Sequence, residues 1–171
     1  MPNNNTLTLE DARILFRNFK GVEGQYNREG DRNFAVVIDD PKIAKQLEED
    51  GWNVKYLKPR EEDEEPTPYL QVTVAFKGRP PSVYMITSKG KTRMEEETLE
   101  LLDYVDIRQA DMILNPYSWT VNGKSGIKAY LKNLYITIEE DELDRKYSDV
   151  PDLDEDPNFE PHDEDLSLIH I

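Results

Sequence analysis

Residues 116–138 read PYSWTVNGKSGIKAYLKNLYITI, and this stretch decides the fold class. Asn122-Gly123 is a strong signal for a tight β-turn, because both residue types tolerate the positive φ angles that a type I′ turn requires. The flanking residues are rich in aromatic and β-branched side chains, which favour strands. The sequence therefore predicts a long β-hairpin that ends near Ile138.

Further strands are predicted on the amino-terminal side of this hairpin, from apolar alternation or β-branched runs. They cover residues 12–19, 32–38, 52–57, 69–76, 83–87 and 105–114. Residues 69–76 alternate most regularly, and residues 83–87 are expected to pair back on them as a second hairpin. Phe16, Phe34 and Phe76 lie in apolar runs and are assigned to the core.

Two short helices interrupt the strands. The first helix is predicted to begin at Asp40-Pro41, which combines an N-cap residue with proline in the first turn, and to end at Gly51. A second short helix is predicted from Met94 to Leu102, after a basic loop at residues 88–93. Many strands, two short helices and no strand–helix–strand alternation favour a closed or partly closed antiparallel barrel.

The acidic residues are unevenly distributed. The formal net charge is −15, but residues 139–171 hold 14 acidic residues against Arg145 and Lys146, so the body before them is nearly neutral. An acidic, apolar-poor segment cannot bury enough surface to fold. We therefore predict a flexible leader at residues 1–10, a folded domain at 11–146 and a disordered acidic tail at 147–171.

Several classes of function are disfavoured by residues that the sequence lacks. There is no cysteine, which excludes disulfides and thiolate zinc sites, and both histidines, His162 and His170, lie in the tail. A histidine-dependent nucleophile cannot then be assembled in the folded body. We expect no catalytic residue, no metal and no cofactor, and neither a secretory signal nor a membrane span is predicted.

Aromatic rings alternate with cationic side chains along the predicted strands. Lys128, Tyr130 and Lys132 share one face of a strand because side chains alternate with a period of two. Splayed bases stack on flat rings, and phosphates bind nearby cations, so this pattern predicts a single-stranded nucleic-acid site. The predicted binding residues are Arg13, Arg17, Phe19, Lys20, Tyr26, Arg28, Trp52, Lys55, Tyr56, Lys89, Lys91, Arg93, Tyr117, Trp119, Lys124, Lys128, Tyr130 and Lys132.

Other interpretations of the same residues stay open. The rings could be ordinary cross-strand packing with a solvated rim of lysines. The body could then be an OB-type protein-interaction or oligosaccharide-binding module, and the acidic tail would be the functional segment of the protein. Asp103, Asp106 and Asp111 could in principle supply carboxylates for two-metal nuclease chemistry, although a plain surface explanation is favoured.

An ordered series of short motifs resembles a family of tailed-bacteriophage single-stranded DNA-binding proteins. The motifs are RNF at 17–19, NREGDRNF at 27–34, DGWNVKYL at 50–57, ITSKGKT at 86–92, NGK at 122–124 and KAYL at 128–131. The resemblance covers residues 12–145. It implies an OB-fold (oligonucleotide-binding) body, DNA binding without strong sequence preference, and no catalytic residues.

The resemblance also implies a biological setting. It implies a role in phage DNA replication or recombination, in the cytoplasm of the infected bacterial host. The acidic tail is expected to compete with DNA for the body or to recruit phage replication or recombination proteins.

Overall fold

The computed structural model describes residues 6–25, 27–59 and 61–140. Residue contacts divide the chain into two units, Met1–Glu139 and Glu140–Ile171. The predicted disordered tail and its boundary stay predictions, because residues 141–171 lie outside the described part.

The first unit is mainly β, as predicted. Its strands are β1 (Leu7–Leu9), β2 (Ile14–Asn18), β3 (Arg32–Val37), β4 (Val54–Leu57), β5 (Thr67–Val74), β6 (Ser82–Thr87), β7 (Gly90–Met94), β8 (Ile107–Val121) and β9 (Lys124–Ile138). The helices are α1 (Pro41–Glu49) and a 3₁₀ helix (Leu99–Asp103). The second predicted helix is thus a short 3₁₀ turn, and the predicted basic loop is mostly strand β7.

The strands form an open mixed sheet rather than a wholly antiparallel one. Its main order is β1-β8-β9-β5-β3-β2, with β4 on β5, β6 on β9 and β7 on β6. β9 runs antiparallel to β8 but parallel to both β5 and β6. The expectation of an antiparallel arrangement is wrong here, because the long connections between β5 or β6 and β9 let the chain cross over before it pairs.

The predicted hairpin between β5 and β6 is also wrong. β6 pairs with β7 instead, through the tight turn that places Thr87 opposite Gly90. Gly90 has φ +129°, a conformation that L side chains rarely adopt, so this glycine permits the turn. The local turn therefore favours β7 over the more distant β5.

The long hairpin of β8 and β9 is confirmed, with Asn122 and Gly123 both at positive φ in its turn. A bulge interrupts the pairing, because Leu114 faces Leu131 while Ile113 faces Asn133 and leaves Lys132 unpaired. A bulge adds one residue and shifts the alternation of side chains. Leu131 and Leu134 are therefore both buried although they are three residues apart.

Helix α1 forms as its capping residues predict. The Asp40 carboxylate accepts a hydrogen bond from the Lys42 amide at 2.9 Å, and Pro41 occupies the first turn. Ala44 and Leu47 are buried in the core that the sheet also covers. Within the described residues, no helix combines the length and hydrophobicity that a membrane crossing requires.

Two further expectations about packing need correction. Leu7–Leu9 pairs with β8, so this part of the predicted flexible leader is a strand. Phe34 is buried as predicted and Phe76 packs partly against the core, but Phe16 is 64% exposed. A bulge in β2 turns Phe16 away from the core that its apolar neighbours predicted.

Candidate nucleic-acid interface

One side of the sheet faces away from the hydrophobic core, and we call it the outer face. In β5, Leu70, Val72 and Val74 are buried, so the alternation places Tyr69, Gln71 and Thr73 on the opposite side. In the register, Thr73 lies beside Tyr130 of β9. The outer face comprises Tyr69, Gln71 and Thr73 of β5, Lys128 and Tyr130 of β9, and Tyr117 and Trp119 of β8.

Three aromatic rings and a lysine gather at the hairpin end of this face. The Tyr117 and Tyr130 rings meet edge to face with centroids 5.5 Å apart, and the Lys128 Nζ lies 5.4 Å from the Tyr130 centroid. Tyr117 is 55% exposed, and Trp119 is partly exposed. This hairpin cluster (Tyr117, Trp119, Lys128, Tyr130) brings together four residues that the sequence predicted as binding residues.

Gly126 allows Trp119 to lie across β9. A Cβ atom at Gly126 would come within 2.9 Å of the Trp119 ring and within 2.4 Å of the Asn53 Oδ1. Real Cβ atoms essentially never approach heavy atoms so closely, so any side chain at this position would displace the ring or the amide. The absence of a side chain at residue 126 therefore leaves the room that the Trp119 ring occupies.

A groove of about 650 Å³ runs beside the hairpin cluster. Its charged residues are mixed, because the Arg28 Nε lies 3.4 Å from the Asp31 carboxylate and the Arg32 Nη1 lies 3.1 Å from the Glu96 carboxylate. Lys77 also lines this groove. Carboxylates thus neutralise part of the positive charge at this end of the outer face.

A smaller groove of about 260 Å³ adjoins the first, and Gln71 and Lys128 line both. Lys55 lines the smaller groove, and its Nζ donates a hydrogen bond to the Gln71 Oε1 at 3.1 Å. Among the described residues that line this groove, none is acidic. The positive charge of Lys55 and Lys128 is therefore not offset within the groove itself.

A second ring-and-cation surface lies on β6 and β7, beside the half of β9 that follows the bulge. Tyr84 and Tyr135 stack with centroids 5.4 Å apart and planes within 8°, and the Lys91 Nζ sits 4.8 Å from the Tyr84 centroid. Arg93 lies on the same short strand, with its Nε 3.9 Å from the Glu95 carboxylate. The predicted Lys89, Lys91 and Arg93 are thus grouped here, apart from the hairpin cluster.

Two predicted binding residues are in the core. Phe19 is fully buried against Phe34, with ring centroids 5.3 Å apart, and Trp52 is 6% exposed. The Trp52 amide donates to the Leu47 carbonyl at 2.9 Å, which draws this residue under the end of α1. The expectation that these rings are available to bases is wrong, because an apolar ring gains more by burial beside other apolar groups.

Arg17 and Lys20 join the end of β2 to the 3₁₀ helix. The Arg17 Nη1 donates to the carbonyls of Leu102 and Val105 at 2.9 and 2.6 Å, and the Lys20 Nζ lies 3.7 Å from the Glu100 carboxylate. The Asp103 carboxylate accepts hydrogen bonds from the amides of Phe19 and Lys20. These side chains have structural partners, which argues against Arg17 as a DNA contact and against Asp103 as a metal ligand.

The remaining predicted residues are scattered. Tyr56 lies on the other face of β4 from Lys55, where its hydroxyl donates to the Glu48 carboxylate of α1. Three more predicted residues are exposed: Arg13 precedes β2, Lys124 follows the turn of the long hairpin, and Lys132 lies on the bulge of β9. Tyr26 lies outside the described residues.

Some outer-face residues were not predicted from the sequence. Tyr69, Gln71, Thr73 and Lys77 line the outer face or its grooves. The regular alternation of residues 69–76 could have identified the first three, because it shows which side chains are not in the core. No local pattern distinguishes Lys77 from any other exposed lysine.

The fold is similar to that of a solved phage protein. The single-stranded DNA-binding protein from bacteriophage Enc34, in complex with ssDNA, matches with a TM-score of 0.53 and 12% identity, over 80% of this chain and 88% of that chain. A second structure of the single-stranded DNA-binding protein from bacteriophage Enc34 matches with a TM-score of 0.52 and 10% identity, over 80% of this chain and 82% of that chain. A comparison with curated proteins gives no significant match.

The family model of the phage ssDNA-binding domain matches residues 2–167, which is nearly the whole chain. This match extends over the outer face, the second ring-and-cation surface and residues 147–167 of the acidic tail. The exposed rings and groove lysines of the outer face are groups suited to bases and phosphates. The chain belongs to the phage ssDNA-binding domain family.

Proposed function

We propose that this protein binds single-stranded DNA along its outer face, with bases stacked on the hairpin cluster and phosphates beside Lys55 and Lys128. The observation that carries the proposal is the hairpin cluster itself. Its exposed Tyr117 ring and its Tyr130 and Trp119 rings lie next to a groove with two lysines and, among its described lining residues, no acid. Stacking contributes about 1–3 kcal/mol per base, and each phosphate contact adds a salt-dependent term.

The same geometry favours binding without strong sequence preference. Every base has a flat π-face, so stacking on tyrosine or tryptophan accepts all four bases. Lysine side chains act as flexible point charges, and they contact the phosphates that every nucleotide carries. Sequence discrimination would need a dense set of hydrogen bonds to base edges, for which Gln71 and Asn53 offer few groups.

We propose that the protein binds DNA, without enzymatic activity, during phage DNA replication or recombination in the host cytoplasm. The family match and the resemblance of its motifs support this role. We also propose that the sheet closes as an OB-type barrel. Support comes from β9, which pairs with β8 along its length, with β5 at Ala129 and Tyr130, and with β6 from Asn133 to Thr137.

Tryptophan fluorescence tests the proposal directly. Trp119 lies on the outer face and Trp52 is buried, so oligo-dT should quench the Trp119 emission and leave the Trp52 emission nearly unchanged. The affinity should fall as salt rises, with a slope of log K against log salt of about −0.7 for each phosphate contacted. Trp119→Phe should abolish most of the quenching while a labelled oligonucleotide still binds.

The alternative modules give a different result in the same titration. Quenching by an oligosaccharide, or a response to neither ligand, would favour the oligosaccharide-binding or protein-interaction module over DNA binding. Quenching by oligo-dT that is independent of salt would also contradict phosphate contacts at Lys55 and Lys128.

We further propose that the acidic tail competes with DNA for the outer face and recruits protein partners when DNA displaces it. The 14 acidic residues from Glu139 onward, nine of them within residues 147–171, carry the charge pattern of a nucleic-acid backbone. Ending the chain at Glu139 should strengthen oligo-dT binding several-fold, and more at low salt, because the competing negative charge is removed. Affinity unchanged by the truncation, in titrations at two salt concentrations, would refute the competition.

A further inference from the structure

Phe16 is held in an unfavourable backbone conformation with its ring largely in solvent. Its φ is +53°, in the left-handed region, and its side chain is 64% exposed. Bulky residues avoid this region, because the side chain crowds the backbone there. Burial does not offset this cost, so the exposed ring needs another explanation.

The β-bulge in β2 explains how the ring reaches solvent. Leu15 pairs with Ala35 and Asn18 pairs with Asn33, so the register shifts across Phe16 and Arg17. The shift lets Arg17 bond the carbonyls of Leu102 and Val105 while Phe16 turns outward. Bulges commonly re-aim a side chain at functional positions.

The Phe16 ring is directed towards the outer face. It meets the Tyr69 ring edge to face, with centroids 6.4 Å apart. Tyr69 lies opposite Lys55 in the register of β4 and β5, and Lys55 in turn bonds Gln71. Phe16 and Tyr69 therefore stand on the same face as the hairpin cluster, at its β2 edge, with Lys55 between the two groups.

We propose that Phe16 and Tyr69 form a second base-stacking subsite for the same DNA strand. This inference rests on the proposed function. The DNA would cross the sheet from β8 over β9 and β5 towards β2, with one phosphate beside Lys55. Four inter-strand spacings separate β8 from β2. This is about 20 Å, which fits the several nucleotides that one OB fold covers.

A structural role and a DNA-stacking role for Phe16 predict different results for one substitution. Glycine adopts a positive φ without steric cost, so Phe16→Gly removes the strain together with the ring. If Phe16 served only to support the fold, its loss would lower the thermal midpoint of unfolding. If it serves as a stacking surface, stability is retained and DNA affinity falls.

The experiment compares oligo-dT of about 4 and about 12 nucleotides, within the range of site sizes for OB folds, by anisotropy of a labelled strand. For Phe16→Gly, the affinity for the longer strand should fall about 5- to 100-fold, as expected for the loss of one stacked base. The affinity for the shorter strand should stay unchanged, because the hairpin cluster binds it. The control Tyr56→Ala removes a half-exposed ring from the opposite face of β4 and should leave both affinities unchanged.

A second variant reports on the subsite while keeping an aromatic ring there. Phe16→Trp in a Trp119→Phe background should bind oligo-dT with the same affinity as Trp119→Phe alone. The emission of the introduced tryptophan should be quenched by the longer strand but not by the shorter one. Equal affinity of wild type and Phe16→Gly for the longer strand overturns the inference, and so does an introduced tryptophan whose emission is indifferent to DNA. If the wild-type protein itself binds neither strand, the proposed function has failed rather than this subsite.

Discussion

Replacing Trp119 and Tyr130 together by alanine should weaken oligo-dT binding by about 30-fold to 10⁴-fold, because the two proposed base stacks, of about 1–3 kcal/mol each, are lost. Both rings lie on the outer face, where Tyr130 is held by Tyr117 and Lys128. Because the tryptophan signal disappears with Trp119, the affinity is measured by anisotropy of a labelled oligonucleotide.

The matched control removes two exposed rings from elsewhere on the surface. Tyr56→Ala with Tyr104→Ala deletes rings that are 50% and 74% exposed but are not part of the outer face defined above. This pair should change the affinity by less than about threefold. An equal loss in both double variants would mean that exposed rings contribute to binding regardless of position, and the outer-face interface would be rejected.

Reversing two charges in the smaller groove should have the next largest effect. Lys55→Glu with Lys128→Glu removes the two proposed phosphate contacts and adds two repulsive charges, so we expect a loss of about 10- to 100-fold near physiological salt. The slope of log K against log salt should become shallower by about 1.4, since each single-strand phosphate contact contributes about 0.7. Titrations over a series of salt concentrations measure both quantities.

An equal change in net charge on α1 provides the control. Lys42 and Lys45 are exposed on the helix whose Ala44 and Leu47 face the core. Lys42→Glu with Lys45→Glu should reduce the affinity only slightly and leave the salt slope nearly unchanged. A loss as large as that of the groove variant would show that overall charge, and not the position of Lys55 and Lys128, governs binding.

Local signals in the sequence predicted much of the fold. Asp40-Pro41 and Gly51 delimited helix α1, and Asn122-Gly123 located the turn of the long hairpin. These features depend on residues that are adjacent in the chain, since capping and turn geometry involve only a few neighbouring backbone groups. The same holds for the hairpin cluster, because Tyr117, Lys128 and Tyr130 face one another across a single turn.

Pairing between residues distant in sequence determines which strands are neighbours and which rings are buried, and local sequence patterns do not predict either. An apolar run such as residues 14–19 has the same appearance whether its rings face the core or solvent, and only the bulge in β2 exposes Phe16 while Phe19 is buried. Likewise, β5 and β6 each select β9 as a parallel partner through contacts distant in sequence. The sequence thus specifies the strands, the turn and the charge-rich tail, whereas the tertiary structure decides which strands are neighbours and which rings reach the outer face. The reason is that burial free energy depends on the whole set of packed surfaces, which no short window of residues contains.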